Sequence, residues 1–209
     1  MSERLLHASV LLALTITPSL ALAQAPRWAL RPEGSVVRFE TEGDEVVEQA
    51  SARFSSVTSR LDLDPGDVPH ATGSLEVVMD SVTTDDSAWD AMFRHAPFLA
   101  LDEFPRASFT LTSIEGPAAV EDGHWTRVTL VGDFTVHGVA RPRRIPARLR
   151  WRSGDGHPIV EVRADFHFRW EEHRINVPTG LTRSFAGDGA AVHVELVFQP
   201  AGRRPPARR

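Results

Sequence analysis

The chain has 209 residues, 42 % of them hydrophobic and 24 % charged, which suits one ordinary globular domain and excludes wholesale disorder. A net charge of −5 disfavours a nucleic-acid binder, and every basic residue is arginine. The absence of cysteine excludes disulfides, thiol nucleophiles and cysteine-ligated metals.

At the N-terminus, Arg4 precedes an apolar run from Val10 to Leu22, and Ala21-Leu22-Ala23 offers a small-x-small cleavage site. This is the layout of a secretory signal peptide, too short and interrupted for a membrane span. Residues 1–23 are therefore expected to be removed near Ala23. Residues 24–200 should form the domain, exported to the periplasm or secreted, and residues 201–209 a disordered basic tail.

Along residues 24–200 the dominant pattern is alternation, the mark of half-buried strands. Val37 and Phe39 face away from Arg38 and Glu40. Ala52 and Phe54 put even positions inside, whereas Leu61 and Leu63 put odd ones inside, so a bulge or turn is expected near Ser55-Ser56. Leu75, Val77 and Met79 continue the theme, as do Phe109 with Leu111, and Val128, Leu130, Phe134 and Val136 around Gly132. Ile145, Ala147, Leu149 and Trp151 alternate with arginines. Val160 to Trp170 alternates without exception, and Val192 to Phe198 repeats the pattern. Turn signals such as Pro65-Gly66-Asp67 and Ser153-Gly154-Asp155-Gly156 separate these runs. Residues 85–96 depart from alternation and predict one short helix, with Asp85 or Asp86 as cap and Pro97 as stop. About eight strands with short links indicate an all-β antiparallel barrel or sandwich.

Few residues suggest chemistry. There is no nucleophile elbow or dinucleotide loop, and the nine histidines show no fixed ligand spacing, so solvated surface histidine and no resident metal or cofactor are expected. Adjacent Glu171 and Glu172 would point to opposite faces of an extended strand. The arginine cluster around Arg141, Arg143 and Arg144 reads as a solvated strand face, or as an anion contact for a lipid head group or a membrane surface. What stands out is apolar bulk: Phe39, Phe54, Met79, Trp89, Met92, Phe93, Phe98, Phe104, Phe109, Phe134, Val136, Phe166, Phe168 and Phe198 are all expected to face one interior. A barrel of this size is either packed or hollow enough for one ligand, and periodicity alone leaves both open.

The order of motifs resembles the YceI-like family of exported, lipocalin-like lipid-binding proteins, from about Trp28 to Phe198. The resemblance rests on Trp28, Ser35-Val36-Val37-Arg38-Phe39, Ala52-Arg53-Phe54, Ser81-Val82-Thr83-Thr84, Trp89 to Arg94 followed by Phe98, Phe104-Pro105 and Phe109, and Gly132-Asp133-Phe134-Thr135-Val136-His137-Gly138-Val139-Ala140-Arg141-Pro142. Ala52 replaces a glycine of the family pattern, Met92 a histidine and Trp89 an arginine. The late element survives only as Glu172-His173-Arg174-Ile175. The resemblance implies an eight-stranded lipocalin-like barrel with a helix at its side or mouth, and a long polyisoprenoid or fatty amphiphile inside. The phenylalanines and aliphatic residues would hold the tail, and Arg94, Arg141, Arg143 and Arg144 the polar end. It also implies homodimers. Two other functions fit the residues: a packed, ligand-free interaction module, and an enzyme acting on a hydrophobic substrate, which needs polar groups converging in the lumen.

Overall fold

The structure, a computed structural model, describes residues 25–43, 51–84, 86–87, 90–91, 99–154, 156–180, 184 and 186–202. Its strands are β1 (Arg27–Thr41), β2 (Ser51–Phe54), β3 (Val57–Asp64), β4 (Asp67–Val78), β5 (Val82–Thr83), β6 (Arg106–Glu115), β7 (Thr126–Val136), β8 (Val139–Arg152), β9 (Ile159–Arg169) and β10 (Gly189–Pro200). Every strand pairing is antiparallel. The order runs β10-β9-β8-β7-β6-β4-β3-β1, and β1 pairs back onto β10. Eight strands thus close a barrel. Short β2 and β5 form a ribbon beside the upper half of β1.

Side-chain alternation gives this wall its two faces. On β9, Val160, Val162, Ala164, Phe168 and Trp170 at its end are buried, while Arg163, Asp165, His167 and Arg169 are exposed. The frame slip predicted near Ser55-Ser56 is a real break: β2 ends at Phe54 and β3 starts at Val57. Both lie along β1, opposite Glu40 and Ala29 respectively. A second irregularity lies in β1, where the register with β10 shifts between Arg31 and Val36. There Ser35 Oγ donates to the Arg31 carbonyl (2.6 Å) and accepts the Val197 N–H (2.9 Å), so the bulge leaves Val197 satisfied. β7 and β8 meet at His137-Gly138, both at positive φ (52° and 69°), the two-residue turn that a twisted hairpin favours.

The two ends of the barrel differ. At the lower end, Leu63, Val68, Leu149 and Val160 are fully covered, and Trp28 Nε1–H donates to the Leu63 carbonyl (2.9 Å). Residues 118–120 cross beneath them, with Val68 N–H bonded to the Ala118 carbonyl and Val120 N–H to the Pro65 carbonyl. At the upper end the strands give way to 3-10 turns at Met79–Ser81 and Trp170–His173 and to the segment 99–104. Ser87, Asp90 and Ala91 are helical, with Asp90 N–H bonded to the Asp86 carbonyl (3.1 Å). Most of the predicted helix, with Trp89, Met92, Phe93 and Arg94, lies outside the described residues, as do Phe98, the predicted signal peptide and residues 203–209. Among the described residues, no helix is long and apolar enough to cross a membrane.

Candidate functional site

The barrel interior contains a cavity of about 150 Å³. All eight barrel strands line it, and Phe39, Phe54, Met79, Phe109, Phe134, Val136, Phe166, Phe168 and Phe198 all contribute, as the alternation predicts. From Ala190, level with Thr41, to Phe198, β10 advances about 27 Å. With the tilt normal for a barrel, the lined stretch spans about 20 Å of the axis.

Four of those rings carry the significance of the cavity. Phe39, Phe54, Phe109 and Phe166 point inward yet are only half-buried. In a filled core, inward rings at these positions would be covered by their neighbours. Below them the interior is solid, since Leu63, Leu149 and Val160 are completely covered. The void therefore occupies the middle and upper barrel and ends on a packed floor.

The lining is almost wholly apolar. Arg60, Ser74 and Ser108 contribute to it from outward-facing strand positions: Arg60 pairs with Ser74, and Ser108 with Glu76. Among the described residues, two hydroxyls stand at inward strand positions. Ser59 Oγ–H donates to the Ser74 carbonyl (2.8 Å), whereas Thr41 Oγ1 is buried without a partner. Leu75, Leu130 and Trp170, which the alternation also turns inward, line the cavity too, whereas sequence reasoning overlooked Thr41.

The described arginines occupy other places. Arg141 and Arg143 stand at the top of β8 and hold the 3-10 turn: Arg141 Nε–H donates to the Glu172 carbonyl (2.8 Å), and Arg143 pairs with the Glu172 carboxylate. Glu172 also accepts the Arg169 N–H (3.0 Å). The Arg169 N–H, followed by the Arg143 guanidinium, holds the Glu172 carboxyl below its ordinary pKa, against the opposing effect of burial. Arg144 points to the outer face and pairs with Glu115. Phe104 also lies away from the cavity, its ring 4.2 Å from that of His137 beside Gly138.

His173 corrects the expectation of solvated histidines. It is fully buried at the end of the turn, 5.2 Å from the Phe134 ring and 5.4 Å from that of Phe168. Its Nδ1–H donates to the Val139 carbonyl (2.9 Å), and Nε2 has no partner. His193 is half-buried, with Nδ1 2.7 Å from Asp165, whereas His167 is exposed beside Glu42. Glu171-Glu172 departs from the extended geometry assumed for it: the 3-10 turn leaves Glu171 exposed and folds Glu172 onto β8.

Burial pushes the His173 pKa below its ordinary value, and Arg143 and Arg141 push the same way, outweighing the Val139 carbonyl and Glu172. The folded chain thus keeps His173 neutral where the unfolded chain protonates it. As pH falls below about 6.5, stability is lost progressively until the lower, folded-state pKa is reached, and above 6.5 the full stability is present. Thermal melts across this range are expected to show a steeper acid-side decline for the wild type than for His173→Phe, which carries no titrating ring. Parallel declines would contradict the assignment.

Among the described residues, no group of three or more histidines, aspartates and glutamates is placed to hold a metal. The site is a narrow apolar void with a packed floor and a rim clasped by Arg141, Arg143 and Glu172.

Comparison with known proteins agrees with this geometry. The model of the YceI-like domain matches residues 28–198. Protein YceI of Shigella flexneri is 35 % identical over 75 residues, a stretch that covers 36 % of each chain. Among solved structures, BcnA of Burkholderia cenocepacia superposes with a TM-score of 0.64 at 15 % identity, covering 80 % of this chain and 98 % of that one. A polyisoprenoid binding domain from Saccharophagus degradans, implicated in plant cell wall breakdown, gives 0.64 at 13 % identity, covering 85 % and 99 %. The family match takes in every strand of the barrel and the residues that line its void, and the chain belongs to the YceI-like family.

Proposed function

We propose that this protein is an exported carrier or sequestering protein that holds the chain of a polyisoprenoid, or of a similar amphiphilic lipid, inside the barrel. The observation that carries this is the void itself: inward aromatic rings left half-covered above a packed floor. The alternative of a filled interaction module would have no such space. The polyisoprenoid binding of the Saccharophagus degradans domain, which shares the fold, supports the choice of ligand class. The signal-peptide layout of residues 1–23 supports export.

The energetics suffice without a catalytic group. Each buried methylene contributes about 0.8 kcal/mol. A few isoprene units therefore exceed an association cost of at least about 4 kcal/mol. A void of about 150 Å³ matches cavities that take a benzene-sized guest. A longer chain thus enters by displacing the half-buried rings. Arg141 and Arg143 serve as the clasp that keeps this rim in place.

Native mass spectrometry of gently purified protein tests the proposal. The expected result is a co-purifying lipid adduct, or stoichiometric uptake of a prenyl alcohol or prenyl quinone. A bare chain that takes up neither would overturn it.

A further inference from the structure

Among the described residues, the cavity lining holds one buried polar side-chain group that the fold does not satisfy. Thr41 is 2 % exposed, its Oγ1 has no hydrogen-bond partner, and it lines the upper part of the void. A buried hydroxyl without a partner is costly, and threonine is nearly isosteric with valine, which would fill the same place without that cost. Ser59, the other inward hydroxyl, shows the usual solution, since it bonds a strand carbonyl. Among the described residues, Thr41 is the one cavity-lining residue with a buried, unpartnered side-chain polar atom.

We infer that Thr41 hydrogen-bonds the polar end of the bound amphiphile, and that this end is an uncharged oxygen group, an alcohol or a carbonyl. The inference rests on the lipid-binding proposal and adds the class of head group and its orientation. Thr41 pairs with Ala190 at the upper end of the barrel, and Phe39 and Phe54 stack beside this level (ring centroids 5.5 Å apart). A head held there directs the tail down the axis towards Phe198 on the floor side. A phosphate at the same place would lose its hydration, and among the described residues no cation stands ready to meet it. Arg60 projects from the outer face of β3, and Arg141 and Arg143 already hold Glu172. A trapped water is a poor substitute for the head group, because it needs two or more polar partners and the lining offers one free hydroxyl.

The test uses the purified chain, a displaceable fluorescent fatty probe, and three competitors that share one tail: geranylgeraniol, its deoxygenated hydrocarbon and geranylgeranyl diphosphate. The wild type and Thr41→Ser are expected to prefer the alcohol over the hydrocarbon by about tenfold, with the diphosphate weaker than the alcohol. Thr41→Val should erase that preference by weakening alcohol binding alone, and should raise the melting temperature of the lipid-free protein. A Thr41→Val variant that keeps the preference overturns the inference, as does a wild type that favours the diphosphate. In either case the barrel still binds lipid and the broader proposal stands. A wild type that binds none of the three sinks the broader proposal and this one with it.

Discussion

Replacing Ala164 with phenylalanine is expected to cut lipid affinity by about a hundredfold while leaving the barrel at least as stable as the wild type. Ala164 is buried, faces the void, and stands mid-barrel beside Ala147 and Val194, the latter paired with Val37. A phenyl group there occupies the space that a guest chain needs. Displacing three or four methylenes removes about 3 kcal/mol of burial, which is about a hundredfold in affinity. The same ring enters existing space, so the overpacking that normally accompanies a small-to-large core change is avoided. Displacement titrations and thermal melts on one preparation separate the two effects. Unchanged affinity would show that lipid binds elsewhere. A lost fold would show that the void is smaller than described.

Gly132→Val is expected to produce the largest loss of stability, about 3 kcal/mol and hence a fall of about 10 °C in melting temperature. Gly132 sits within β7 opposite Leu111, next to the register shift between Leu111 and Ser113 of β6. A Cβ at this position would lie 2.1 Å from the Thr110 carbonyl oxygen and 2.9 Å from the Phe109 ring. The neighbouring backbone belongs to a closed barrel and cannot retreat without breaking the β6–β7 ladder. The Phe109 ring also lines the void, so a variant that survives should show altered lipid affinity. Chemical denaturation would check this, and a variant within about 0.5 kcal/mol of the wild type would contradict it.

The strands are legible in the sequence because a barrel wall separates two solvents, and period-two alternation records that separation residue by residue. Val160 to Trp170 is the clearest case, with its apolar set turned inward and Glu161, Arg163, Asp165, His167 and Arg169 on the outer face. The frame change between Phe54 and Leu61 is equally readable, because a strand cannot switch faces without a break. Inward orientation of the phenylalanines follows from the same pattern, but whether they meet or leave a gap depends on the barrel's diameter, which alternation does not encode. The rim was less legible. Arg141 and Arg143 are read from sequence as a solvated or anion-binding cluster because their partner, Glu172, is about thirty residues away and reaches them only through the 3-10 turn. His173 looks solvated for the same reason: it leaves the strand pattern after Trp170, and tertiary packing against Phe134 and Phe168 decides its burial. Thr41 escaped notice because a threonine at an inward strand position is chemically ordinary. Its meaning comes from the lack of a partner in three dimensions.

The most direct measurement is diffraction from crystals grown with a prenyl alcohol that carries bromine at the far end of its tail. Binding inside the barrel predicts an anomalous peak within the void bounded by Phe109, Phe134 and Phe166, above the floor formed by Leu63 and Val160. A bromine peak on the outer wall, with those rings closed over an empty lumen, would contradict the account.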